Sequence, residues 1–563
     1  MRPPSVLSLP QLILDLRADL RRRYQFDQPQ RQDAYRAWLM ATGAQEYQAL
    51  LTDPSLRLWL AQPPAVPGLT RLQELVWQAR TDVQKAFALP QDAQAYAGWF
   101  YRHGVGEHGL WPWLTPAERR TACMTEGPWQ AALLQHATEA LLQEPAPPAE
   151  PRPWGVNLIG YAHGQLGIGE DVRMAARALL AAGVPMCMVN FNPGNDIAQN
   201  DFSMAAHVVA GPGPYAVNVF CLTALEHGRF FAEQGPAQLE GRYNIGYWPW
   251  ELGQWPASWA QLVHLVDEVW VSTRHTHDAV APVCAALPQP VPVRVMPMAV
   301  ELGPVARGNR KALRQRWRLP LRARLMVFTF DLNSSIHRKN PQAVVDAFVR
   351  AFPASAWGRE QVGLVIKVHP PRRRNAAWER LKQLAAQDDR LHIIEQTLPR
   401  PELLALYRAC DAFVSLHRAE GFGRGIAEAL QLGLHVITTH YSGNVDFCSA
   451  ATFADMVDLV RYRLVKVRPG QYPYGGGQVW ANAELNHAAA CMQSFVQRFA
   501  PGHHPGPPHR VPDGGWPVFS PAEVGARYAT RLAEVRSLMK AGHGHQSSSG
   551  WPLSSVLQNG TST

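Results

Sequence analysis

Residues 412–432 read AFVSLHRAEGFGRGIAEALQL. An apolar strand-like run (Ala412 to Leu416) leads into a glycine-rich turn bracketed by Glu420 and Glu428, and an apolar helical run (Ile426 to Leu432) follows. Strand, glycine turn and helix start together make an anion site, because unpaired backbone N–H groups meet the positive end of the helix dipole there. Carboxylates in the same turn would repel a phosphate but suit the hydroxyls of a ribose or a hexose. The turn therefore predicts a site for a nucleotide-sugar. With a helix starting near Gly423, Glu420 lies in the loop and Glu428 just over a turn inside the helix. The two then reach one crevice from two levels. Two glutamates eight residues apart are common by chance; the full pattern after an apolar strand is far more specific.

Working outward, a β/α series runs from about residue 322, with strands expected at Leu325 to Phe330, Val362 to Val368, Leu391 to Ile394, Ala412 to Leu416 and Val436 to Thr439. A helix is expected from Asn340-Pro341, a capping residue followed by proline at the first helical position. Upstream, Glu144 to Pro153 (EPAPPAEPRP) reads as a proline-rich linker. Beyond it come a strand (Val156 to Tyr161), a loop from Gly160 to Gly169, and a helix opening near Glu170-Asp171 with Val172, Ala176, Leu179 and Leu180 on one face. Further strands are expected at Ala216 to Leu222, Tyr243 to Tyr247 and Glu268 to Ser272. The alternation predicts an α/β chain with two Rossmann-like domains facing across a cleft, preceded by an all-α domain. The expected boundaries are 1–143 (helical), 144–153 (linker), 154–305 (first Rossmann-like domain), 306–515 (second Rossmann-like domain), 516–540 (terminal helix) and 541–563 (disordered tail). Residues 470–515 read as loop-rich.

With 47% hydrophobic and 18% charged residues in 563, the chain is globular. A formal charge of +9 favours anionic partners such as nucleotide phosphates, nucleic acid or an anionic membrane face; given the glycine turn, a nucleotide-sugar is expected and nucleic acid is not. Seven cysteines without a CxxC pair argue against a disulfide framework and a cysteine zinc site. No paired aspartates suggest a divalent ion: Asp201, Asp331 and Asp446 stand alone and read as cap or turn residues, and His503, His504, His543 and His545 read as loop residues. No metal or other cofactor is expected. No apolar run reaches the roughly 18 residues of a spanning helix. Val6 to Leu14 is broken by Ser8 and Pro10 and is no signal peptide. A cytoplasmic location is expected, compatible with peripheral contact at an inner membrane.

The segment Leu406 to Gly443 (LYRACDAFVSLHRAEGFGRGIAEALQLGLHVITTHYSG) resembles the donor-site signature of retaining GT-B glycosyltransferases of the family 4 (group 1) type. The resemblance extends over about residues 155 to 535, through GVNLIGYAHGQLGIGEDVRMAARAL, Val269 to Ser272, Met296 to Glu301 and Ile336 to Pro341. It implies that Glu428 binds the donor ribose, that Glu420 lies near the transferred sugar, and that the Gly421-Phe422-Gly423 backbone faces sugar and diphosphate. Lys339 matches the lysine of the basic pair that neutralises the diphosphate. The usual arginine five residues earlier is replaced by Ser334, and Arg338 is the candidate substitute. Lys367, in the strand end Ile-Lys-Val-His, is a further candidate cation. The implied reaction is metal-independent hexose transfer with retention of configuration, the leaving phosphate taking the acceptor proton. Polysaccharide biosynthesis at a bacterial cell envelope, with a glycan or lipid-linked acceptor, fits that family. On the acceptor side stand Gly167, Gly169, Trp248 and Glu251, with Glu226 a further acidic candidate. Trp248 occupies the place where many members have a histidine, and Trp248, Trp250 and Trp255 are open to two readings, sugar stacking or core packing. Two other classes remain open: a phosphorylase or epimerase on the same fold, and a non-catalytic scaffold, the latter motivated by Ser334 and the missing histidine.

Overall fold

The computed structural model describes residues 8–24, 29–124, 151–192, 194, 198–303, 308–332, 334–371, 374–498 and 517–541. The expected linker before residue 151, the tail beyond 541 and the four histidines His503, His504, His543 and His545 lie outside them.

Two parallel sheets organise the chain. The first runs in the order β3 (Val208–Val209), β2 (Met186–Asn190), β1 (Val156–Gly160), β4 (Val217–Cys221), β5 (Tyr243–Tyr247), β6 (Glu268–Val271), β7 (Val293–Val295). The second runs β10 (Leu391–Glu395), β9 (Val362–His369), β8 (Arg324–Asp331), β11 (Ala412–Ser415), β12 (His435–Thr439), β13 (Val457–Val460). Counted within each domain, both read third, second, first, fourth, fifth, sixth, the doubly wound Rossmann order, and the first adds a seventh strand at its edge. This is the two-domain GT-B architecture that the resemblance implies, with helices ahead of the first strand. Helices cover both faces of such sheets, so β1, β4 and β5 are buried along their whole length. The polar exceptions are paired with one another. Asn157, Asn218 and Asn244 stand in register on β1, β4 and β5, and their amides hydrogen-bond in a row at 2.9 Å per step. A one-residue slip would strand three buried amides, so the row pins the register.

Several expectations need correction. Residues 470–515 are not simply loop. Val479–Ala483 (β15) pairs antiparallel with Tyr462–Lys466 (β14), and the helix Leu485–Arg498 follows. The strand β2, MCMVN, lacks the β-branched run that would have marked it. Asn340 does not cap the following helix with its side chain. It sits at φ 55° between two helices, and its Nδ2 donates to Leu416 O at 2.9 Å. The helix placed near Glu170 starts earlier, at Gly167.

The N-terminal helices do not form a core of their own. Leu12, Ile13, Leu50 and Leu72 are buried in one apolar cluster with Trp248, Trp250, Trp255 and Trp259 of the first Rossmann domain and Trp480 of the hairpin strand β15. Ser8 N–H donates to Gln261 Oε1 at 2.9 Å across the same seam. At the other end, the helix Pro521–Lys540 returns to the first domain, where Arg531 Nε donates to the buried Glu268 at 2.9 Å.

Candidate active site

A doubly wound sheet binds ligands beyond the carboxyl ends of its strands, where neighbouring connections leave in opposite directions. In the second domain that point lies between β8 and β11. The connection after β8 carries the short helix Ile336–Lys339, with Arg338 and Lys339. The connection after β11 carries Glu420 and the turn into the helix Arg424–Gln431. Topology thus brings residues about eighty apart in sequence to one place. Glu420 Oε1 accepts from Lys339 Nζ at 2.5 Å, and Oε2 accepts from Arg338 Nη1 at 3.1 Å. Glu420 is only 8% exposed. Burial would raise its carboxyl, but Lys339 and Arg338 outweigh that and hold it at about 2. Burial lowers the Lys339 ammonium from its ordinary range against the pull of Glu420.

The turn has the expected form. Gly423 takes φ 95° and ψ 50°, and the helix begins at Arg424. Two later residues clamp the loop: Glu420 N–H donates to Ser442 Oγ at 2.8 Å, and Gly443 N–H donates to Glu420 O at 2.9 Å. The first domain closes on the same loop, with Thr273 Oγ1 donating to Gly421 O at 2.7 Å. Phe422 turns its ring inward onto Phe447 and Phe519.

Glu428 is 3% exposed. Its Oε1 accepts from Arg400 Nη1 at 2.8 Å, while its Oε2 makes no hydrogen bond among the described residues. One carboxylate is therefore fully occupied by cations, and the other keeps a free acceptor. Lys367 also sits at this end of the sheet. It is 8% exposed, lies in β9 beside Thr329 of β8, and has no hydrogen bond or ion pair among the described residues. It is thus a buried lysine, not a surface one. Burial lowers its ammonium, opposed by the charge of Asp331.

Residues 334–454, which contain Arg338, Lys339, Glu420 and Glu428, match the family model described as glycosyl transferases group 1. That match supports a glycosyltransferase. No curated protein matches the sequence. Similar solved structures include a sucrose-phosphate synthase from Thermosynechococcus elongatus, at 16% identity over 69% of this chain and 100% of that one, with a TM-score of 0.45. A glycosyltransferase from Rickettsia africae shares 12% identity over 68% and 99%, with a TM-score of 0.48. HepE of Anabaena, in complex with UDP and glucose, shares 12% over 69% and 99%, with a TM-score of 0.42. At these identities and scores the likenesses assign no activity or ligand to this chain.

On the acceptor side the structure separates the candidates. Trp248 is fully buried, stacked on Trp255 with centroids 5.9 Å apart, and its Nε1 donates to His227 Nδ1 at 3.3 Å. With Trp250 and Trp255 it belongs to the core, so the sugar-stacking reading of these three is wrong: their faces are covered by each other and by Trp259. Glu226 is a cap, closing a capping box with Thr223 and accepting from Tyr161 OH at 2.6 Å. Glu251, by contrast, faces the second domain: Arg338 Nη2 lies 3.5 Å from Oε1, and Tyr472 OH donates to Oε2 at 2.6 Å. Arg338 is thereby held between carboxylates of both domains, and its Nη2 also reaches Ser334 Oγ at 3.4 Å. Gly167 opens the helix Gly167–Ala181 with free space around it. A Cβ on Gly169 would fall 2.3 Å from Gly164 O, so this glycine lets the helix abut the loop after β1.

Sequence reasoning missed Arg400, Glu170, Asp171, Arg424 and Tyr472 as members of the site. Arg424 pairs with Asp171 across the domains. Arg400 had one local signal: it opens a helix, where the dipole disfavours a cation.

Proposed function

We propose that this chain transfers a hexose from a nucleoside-diphosphate sugar to a glycan or lipid-linked acceptor, with retention of configuration. One observation carries the reading. Around the carboxyl end of the second sheet stand a buried carboxylate with a free oxygen (Glu428), the cations Lys339, Arg338 and Lys367, and a glycine turn whose N–H groups from Gly421 to Gly425 donate to nothing among the described residues. Hydroxyls suit the first, and a diphosphate suits the rest. In the reaction, Lys339 and Arg338 leave Glu420 for the diphosphate and stabilise the charge that develops on it as the sugar bond breaks. Glu420, released, accepts from hydroxyls of the hexose. Glu251 meets the acceptor side of the same crevice. The leaving phosphate takes the acceptor proton, so no further base is required of the protein. Among the described residues no group of three His, Cys, Asp or Glu side chains is placed to hold a metal ion, and none of their helices is long and apolar enough to cross a membrane.

The test is release of nucleoside diphosphate from a panel of UDP-, GDP- and ADP-sugars with mixed glycan and lipid-linked acceptors. Glu428→Ala should weaken donor binding and Lys339→Ala should suppress turnover. The reading fails if no such donor binds the wild-type chain.

A further inference from the structure

Arg400 is the first residue of the helix Arg400–Ala409, after β10. A cation there opposes the helix dipole, so something outside the helix must hold it. Each of its three guanidinium nitrogens faces a protein oxygen. Nη1 donates to Glu428 Oε1 at 2.8 Å, and Nη2 donates to Glu301 O at 3.2 Å. Nε lies 3.5 Å from Glu170 Oε1. Glu428 belongs to the second domain. Glu170 lies in the first turn of the first domain's helix Gly167–Ala181, and Glu301 on the strand of chain that crosses between the domains. That crossing strand is itself clasped: Gln431 Nε2 donates to Val300 O at 2.7 Å, and Arg177 pairs with Glu301. Glu170 is steadied in turn by Arg173 at 3.1 Å.

Arg400 is thus held by the second domain, the first domain and the chain between them. The geometry points to Arg400 as the positioning residue for the donor ribose: it fixes Glu428 with Oε2 free for the ribose hydroxyls and ties that carboxylate to the first domain through Glu170. This rests on the donor reading above, since Glu428 must meet a ribose for the assignment to have meaning. The planar fork matters here. A lysine would keep the charge, but one ammonium cannot reach Glu428, the Glu301 carbonyl and Glu170 at these angles. A carboxylate free to rotate would still attract hydroxyls, but would lose the fixed geometry that tells a ribose from a deoxyribose.

The experiment measures binding of UDP, GDP and ADP, and of their 2′-deoxy forms, by calorimetry. It compares wild type, Arg400→Ala, Arg400→Lys and Glu170→Gln, with circular dichroism to establish folding. Arg400→Lys keeps the test alive if the alanine variant does not fold. For the preferred base, both Arg400 variants should bind the ribonucleotide about tenfold or more weakly and bind ribo and deoxy forms nearly alike. Glu170→Gln leaves the Arg400–Glu428 pair in place. It should keep the ribo preference while weakening both forms by the same factor. Undiminished discrimination in folded Arg400 variants overturns the positioning role. Unchanged affinity in Glu170→Gln overturns the tie to the first domain. Failure of the wild type to bind any of the three nucleotides overturns the donor reading itself, and is told apart from both by the wild-type measurement alone.

Discussion

Replacing Glu420 by glutamine should destabilise the ligand-free protein and make its stability depend more on nucleotide. The folded state holds this carboxyl at about 2 against its ordinary 4.5. That difference is worth about 3 kcal/mol at neutral pH. The same magnitude follows from leaving Arg338 and Lys339 buried without their shared anion, a loss of about 3–5 kcal/mol for a broken buried pair. For a domain of roughly 200 residues, about 3 kcal/mol lowers the melting temperature by about 6–12 °C. The sign with pH follows from the lowered pKa. The contribution of ionised Glu420 is complete above 4.5 and is lost as pH falls through about 2, so the gap between wild type and Glu420→Gln should narrow across that window. Nucleoside diphosphate should narrow it too. In the wild type the phosphates compete with Glu420 for Lys339 and Arg338; in the variant that competition is gone, although Arg338 keeps Glu251. Scanning fluorimetry at pH 7, 5, 4 and 3, with and without saturating nucleotide, reads all three effects. Equal melting at pH 7 would refute the buried pairing. A gap at pH 7 that saturating nucleotide leaves unchanged would refute the exchange of Glu420 for phosphate.

Three further outcomes are expected. Gly443→Ala puts a Cβ against the backbone O of Gly421; the Glu420–Glu428 loop must shift, and nucleotide affinity should fall at least tenfold while a folded chain persists by circular dichroism. Lys367→Met removes a buried cation that has no hydrogen bond among the described residues; it should raise the melting temperature and weaken nucleoside-diphosphate binding together, and a fall in melting temperature would argue for a structural lysine. A chain beginning at residue 151 loses the helices that cover the seam around Trp250, Trp255 and Trp259; it should bind a hydrophobic dye strongly and aggregate at concentrations where the full chain does not, read by fluorescence and light scattering.

Local chemistry carried a good part of this protein in its sequence. The turn from Glu420 to Glu428 could be read because its parts are neighbours: a glycine that tolerates positive φ, a helix start with open N–H groups, and two acids each about one turn from it. The strands β1, β5, β8, β9 and β11 could be read for a similar reason, since burial on both faces demands short, predominantly apolar runs. Met186–Asn190 escaped because methionine and cysteine bury well without favouring a strand. The tryptophans at 248, 250 and 255 could not be assigned, because an aromatic after a strand serves a core or a ligand equally well until something is seen to cover it. Here the N-terminal helices and the Trp480 hairpin strand cover it.

What the sequence determined by itself was the two-domain α/β plan and the glycine turn with its carboxylates and the lysine of the candidate site, since each rests on patterns within a few residues. Only the tertiary structure decided that Arg338 bridges Glu420 and Glu251, that Arg400 joins Glu428 to Glu170, and that Lys367 is buried. An ion pair leaves no mark in the chain around either partner. Its strength depends on distance and burial, and both are set by which strands lie beside one another.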